Sequence, residues 1–274
     1  MIEHHFPHLA LRPHPRLGPE YGVCPESGAI YYLAAESKTY EGDYFLAEYA
    51  AQYGRTYVED EEHLRKLARG RLSMLPQSAA NAGVGKQAPP RLLEIGCAAG
   101  FFLDEARSIG YECGGLEVSE FAAGYGRERF ELDIQTASFL DCELEAEAYD
   151  VIAAFYVIEH FAPQRSVFQK IADALKPGGA FLFAIPSTFG PLFEYSPGQW
   201  QSTHPTDHHA DYSPASLRRI FPEYGLRCER LRPASFHPGR AGGIKGALPA
   251  PLYRAWARWQ AYGDTLEGVA RKAS

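Results

Sequence analysis

The run Leu92-Leu93-Glu94-Ile95-Gly96-Cys97-Ala98-Ala99-Gly100-Phe101 sets a carboxylate inside an apolar stretch and follows it at once with a turn of small residues. Small side chains there let a ligand approach the backbone, and the free N–H groups of such a turn, at the start of a helix, favour acceptors. A second acid, Glu117, closes the next apolar stretch together with Val118, roughly twenty residues on, the spacing at which an acid accepts ribose hydroxyls. The glycines read Gly96-x-x-x-Gly100, not GxGxxG. Glu94 beside them would repel a pyrophosphate but can organise an ammonium. The expected ligand is an adenosine compound with an amino-acid end and no phosphate, which describes S-adenosylmethionine (SAM).

Proton transfer has two candidates, His160 and His208. Histidine titrates near neutrality and suits a general base; both residues can equally serve as structural braces. Phe101, Phe102 and Tyr156 can flank a sulfonium through cation–π contact or simply fill the core. His204, Asp207, His208 and His209 crowd together without HExxH or another ligand spacing, so a polar lid loop is expected there and no metal. His4, His5, His8 and His14 lie among prolines and are expected to form a solvated tail.

These residues need elements to hold them. Short apolar runs at 91–95, 113–118, 134–137, 150–155 and 180–185 alternate with helical patterns at 101–109, 121–130 and 165–175. That alternation predicts a mostly parallel sheet covered by helices on both faces. Ser213-Pro214 predicts an N-cap and first turn for a helix to about residue 221, and late strands are expected at 226–231 and 265–270. Residues 1–76 read as an aromatic-rich extension with a helix over 59–75, residues 77–90 as a linker, and residues 91–274 as the ligand-binding domain. Within that domain a lid is expected near 190–212 and an inserted segment near 237–262. The part 252–262 is an aromatic, basic helix expected to pack on the core, with a cap over the substrate pocket, a homodimer contact or a membrane surface as alternatives.

Composition removes whole classes. A net charge of -7 with no run of Lys or Arg argues against nucleic-acid binding, which clustered cations drive. Five scattered cysteines without a CxxC pair argue against a disulfide framework or zinc ribbon and for a reducing, cytoplasmic setting. No apolar stretch is long enough to cross a bilayer, and the first residues do not read as a signal peptide.

The chain resembles the class I SAM-dependent methyltransferases, in the small-molecule branch with an EH pair after the fourth strand. Glu94 to Gly100 matches the family's glycine-rich motif, with Ala98 where a middle glycine is common; that fits if φ there stays negative. Glu117 matches the ribose-binding acid, and Ser138-Phe139 falls where the family contacts adenine. Glu159-His160, Leu175-Lys176-Pro177-Gly178-Gly179 and Ile185-Pro186-Ser187 follow in family order, and the likeness runs on to Gly263-Asp264-Thr265-Leu266. Cys24-Pro25-Glu26-Ser27-Gly28 is similar to a zinc element of some relatives with its second cysteine replaced, and reads as a fold element without metal. The resemblance implies a Rossmann-like sheet of seven strands and methyl transfer from SAM to a small molecule such as a sugar, a lipid-linked compound or a specialised metabolite. A non-catalytic SAM-binding module and a nicotinamide-dependent oxidoreductase are the competing readings. Tyr156-Val157-Ile158-Glu159 lacks the features that hold a flipped base.

Overall fold

The computed structural model of the chain describes residues 3–36, 38, 49–75 and 88–274. Eleven strands occur among them: β1 (Arg12–His14), β2 (Gly18–Val23), β3 (Ile30–Tyr32), β4 (Arg91–Ile95), β5 (Glu112–Glu117), β6 (Asp133–Thr136), β7 (Tyr149–Phe155), β8 (Leu175–Pro186), β9 (Ala210–Asp211), β10 (Leu226–Pro233) and β11 (Thr265–Lys272). One sheet has the order β10-β11-β8-β7-β4-β5-β6 and a smaller one the order β1-β2-β3-β9. In the large sheet β7–β4, β4–β5 and β5–β6 are parallel, and β10–β11 is antiparallel. This is the α/β architecture that the alternating pattern predicts. No helix among the described residues is long and apolar enough to cross a membrane.

Contacts divide the chain into two units, and the division does not follow the expected linker, whose residues 77–87 lie outside the described residues. One unit comprises 38–155 and 173–182. Here β4 is buried from Leu92 to Ile95, as a strand covered on both faces is, and Glu94 is the one polar side chain in that stretch. Helix Glu61–Leu72 belongs to this unit and not to an N-terminal extension. Its Arg65 reaches Asp104 at 2.9 Å and Glu105 at 3.1 Å on helix Phe101–Ser108.

The other unit comprises 1–37, 156–172 and 183–273. Its small sheet joins β3 to β9 through Ile30↔Asp211 and Tyr31↔Ala210, so the start of the chain is tied to the segment expected as a lid. The Cys24 element is a tight turn between β2 and β3. Gly28, at φ +74, donates its N–H to the Cys24 carbonyl at 2.8 Å, and Ser27 Oγ accepts from Ala29 N–H. Helix Pro214–Ile220 starts as expected: Ser213 and Ser216 cap each other reciprocally, with Pro214 in the first turn.

His5 corrects the expectation of a solvated histidine tail. It is fully buried, with Nε2 at 2.9 Å from the Tyr212 hydroxyl and Nδ1 at 2.7 Å from that of Tyr224. Two flanking phenols satisfy both ring nitrogens, which makes burial of a neutral imidazole affordable. Burial pushes its pKa down to about 3, so the ring stays neutral.

Candidate active site

In the first unit, the sequence Gly96-Cys97-Ala98-Ala99-Gly100 turns the end of β4 into helix Phe101–Ser108. Gly96, Ala98 and Gly100 take φ of +67, +47 and +79. Left-handed backbone suits the two glycines. At Ala98 it overturns the expectation of a negative φ and strains the backbone. Gly100 has a second reason to be glycine, because a Cβ there would lie 2.5 Å from Leu132 Cδ1.

The expected free N–H groups are largely used internally. Gly96 and Cys97 donate to the Leu116 carbonyl at 2.7 and 3.1 Å, and Gly100 donates to the Cys97 carbonyl at 2.9 Å. Ala98 N–H goes to Glu117 Oε2 at 2.8 Å. The polarity of the turn therefore lies in its carboxylates. Glu117, nearly buried, also accepts from Ser119 N–H at 2.9 Å. Burial raises its pKa, against the opposing pull of the Ser119 and Ala98 N–H groups.

Glu94 differs: it is 4% exposed and its Oε2 has no hydrogen-bond partner. Burial raises its pKa well above the carboxylate range; the positive charge of Arg71 pulls it back and Glu117 pushes it further. A buried acceptor left without a donor is costly, and an amino-acid ammonium would supply the missing donor and charge. By that test these residues fit SAM.

Arg71 and Tyr57 were missed by sequence reasoning. Arg71 is buried on helix Glu61–Leu72 with its guanidinium 4.1 Å from the centre of the Phe155 ring. The available signal was an arginine on the same helical face as Ala68, Leu72 and Leu75. Tyr57 packs against Ala98 and stacks on Phe101 at 5.8 Å. Phe101 and Phe139 are core residues, Cys97 is buried, and Val118 is half exposed. Ser138 Oγ accepts from Leu140 N–H at 3.2 Å, closing its own turn.

In the second unit, Tyr156 holds a left-handed φ of +58 just before the 3-10 turn Ile158–His160. A bulky residue in that region is a strained position of the kind found at functional sites. His160 Nδ1 lies 3.2 Å from Asp207 Oδ2, and the His160 and His208 rings meet edge to face at 4.6 Å. The two candidate histidines are thus together, and Glu159 joins them. It is 1% exposed, neither carboxylate oxygen has a hydrogen-bond partner, and burial raises its pKa to about 7. Burial depresses His208 to about 3. At His160 burial acts downward, but the Asp207 hydrogen bond and the Glu159 charge outweigh it and raise the pKa.

A buried network braces this turn. Gln164 donates to the Ile158 and Phe161 carbonyls at 2.7 and 2.5 Å and accepts from the Tyr212 hydroxyl, which in turn meets His5. His209 N–H donates to the Glu159 carbonyl at 2.7 Å.

A glycine turn flanked by two buried acids on a parallel sheet defines a class I SAM-dependent methyltransferase. The chain belongs to the methyltransferase-domain family, whose model matches residues 59–231, and its cofactor is SAM. It is 27% identical over 139 residues to a probable SAM-dependent methyltransferase of Mycolicibacterium smegmatis, covering 50% of this chain and 52% of that one. It therefore spans about half the length of that relative. It is 26% identical over 164 residues to a ubiquinone biosynthesis O-methyltransferase of Nitrosococcus oceani, covering 54% of this chain and 68% of that one. A SAM-dependent methyltransferase structure from Archaeoglobus fulgidus shares the fold, with a TM-score of 0.53 and 17% identity over 79% of this chain and 99% of that one.

Proposed function

We propose that the chain methylates a small molecule whose reacting group gives up a proton at the Glu159–His160–His208 cluster. SAM supplies an electrophilic methyl on a sulfonium when bound. Glu94 would take its ammonium, Glu117 its ribose hydroxyls, and the turn at 96–100 would sit against it, with Phe101, Val118, Ser138 and Phe139 as further cofactor contacts.

The observation that carries the acceptor side is the pairing of His160 with Asp207 beside a fully buried, unpartnered Glu159. A carboxylate that fixes the ring of a histidine keeps its other nitrogen aimed, and proton removal by a positioned group contributes roughly 10²–10⁴-fold. His208, held neutral by burial, can donate or accept one hydrogen bond without adding charge. The likeness to ubiquinone biosynthesis O-methyltransferases supports a hydroxyl as the methylated group. The chain's acidity supports a small molecule over a nucleic acid.

The test is a panel of phenols, sugars, amines and enolisable ketones incubated with SAM and the full chain, read by mass spectrometry for the gain of one methyl. His160→Asn should lower the rate on any acceptor by roughly 10²-fold or more while leaving SAM affinity unchanged. No methylated product from any class would reject the reading.

A further inference from the structure

The acceptor-side cluster has a composition that acid–base chemistry alone does not require. Among the described residues two groups bring three metal-ligating side chains together, Glu159–His160–His208 and His204–His208–Asp211, and within each group the ligating atoms lie within 4.8 Å of one another. Both contain His208. In the first, Glu159 has both oxygens buried without a partner, and His208 Nδ1 is likewise buried and unpaired. In the second, His204 Nδ1 is buried and unpaired while its Nε2 meets Asp211 Oδ2 at 2.8 Å.

We infer that Glu159, His160 and His208 bind a divalent metal ion of the zinc class. Two imidazoles and one carboxylate form a three-ligand set that leaves a coordination position open for water or substrate. Ligand atoms around tetrahedral zinc stand about 3.3 Å apart, and side-chain torsions close the gap from the observed 4.8 Å bound. Asp207 Oδ2 lies 3.2 Å from His160 Nδ1 and orients the ring, as in a carboxylate–histidine–metal arrangement. A divalent cation also resolves the main anomaly of the cluster, a carboxylate withdrawn from water whose two oxygens accept no hydrogen bond.

The inference deepens the reading of the acceptor site and rests on it for its role. Held by these three residues, a metal would offer its open position to an acceptor oxygen and would lower the pKa of a bound hydroxyl, whose proton would pass to solvent. His160 is then a ligand aligned by Asp207, and the substrate class narrows to oxygen acceptors.

The full chain, stripped with EDTA, is dialysed against Zn²⁺ and assayed for bound zinc; a Co²⁺-loaded sample is examined by visible absorption. Expected are one zinc per chain and the intense d–d bands of low-coordinate Co²⁺ in the wild type. Glu159→Gln and His208→Asn should lose both signals, Asp207→Asn should weaken binding about 10–100-fold, and exposed His8→Gln should change neither. Circular dichroism confirms that the variants are folded, and the wild-type cobalt spectrum stands without them. No zinc uptake, or uptake unchanged in Glu159→Gln and His208→Asn, overturns the inference. Methylation by the stripped enzyme, undiminished by EDTA, overturns the metal and spares the acceptor reading; zinc bound by a chain that methylates nothing spares the metal and rejects that reading.

Discussion

Replacing Glu94 by Gln should move ligand affinity and stability in opposite directions. The carboxyl is 4% exposed, one oxygen has no hydrogen-bond partner, and its pKa lies well above the ordinary value of 4.5 despite the pull of Arg71. A carboxyl with a raised folded pKa contributes stability below its unfolded value and loses it as pH rises through the folded value. The wild type therefore bears a destabilising buried charge at alkaline pH that glutamine cannot develop. In urea unfolding without ligand, Glu94→Gln should gain on the wild type between pH 5 and pH 8. Affinity should fall, because the SAM ammonium loses a charge-assisted hydrogen bond of about 1.5–3 kcal/mol, or roughly 10- to 150-fold in Kd. Calorimetric titration with S-adenosylhomocysteine at pH 7.5 reads this directly. Unchanged affinity, or a variant whose relative stability falls between pH 5 and pH 8, would refute the assignment of Glu94 to the ligand.

Glu117→Gln should behave differently, losing about 1–3 kcal/mol of stability in the apo protein, because an amide cannot accept both the Ala98 and Ser119 N–H groups; an unchanged denaturation midpoint would contradict this. Ala98→Gly should leave stability unchanged or raise it by up to about 1 kcal/mol, since φ is already +47. Gly100→Ala should cost about 1–3 kcal/mol from its φ of +79 and the Leu132 contact, and the two variants can be compared in one urea series. For His5, a folded pKa of about 3 against 6.5 unfolded gives stability present above 6.5 and lost as pH falls toward 3, about 5 kcal/mol at most. His5→Gln should therefore be destabilised at pH 7, with the gap to wild type narrowing toward pH 4; a constant gap would contradict the buried neutral ring.

Periodicity made the parallel sheet legible, since apolar runs such as Leu92–Ile95 and Ala180–Ile185 report burial on two faces. The glycine turn and Glu117 were legible because backbone conformation and strand length fix their spacing. What the turn does with its N–H groups was not, as their bonds to Leu116 and Glu117 depend on the neighbouring strand. Long-range partners were equally hidden. Nothing local links His5 to Tyr212 and Tyr224, and proline-rich surroundings point away from burial. Arg71 lay in plain view on an apolar helical face, yet its charge acts on Glu94 only after helix and strand meet. The same holds for Glu159 and His160, which gain His208 and Asp207 from nearly fifty residues away only through folding.

A crystal structure of the full chain with S-adenosylhomocysteine tests the donor site most directly. The ligand's amino group should hydrogen-bond the Glu94 carboxylate, and its ribose hydroxyls should meet Glu117 above the turn at 96–100. A thioether bound away from both acids, or with phosphate-like ligands preferred at that turn, would contradict the account.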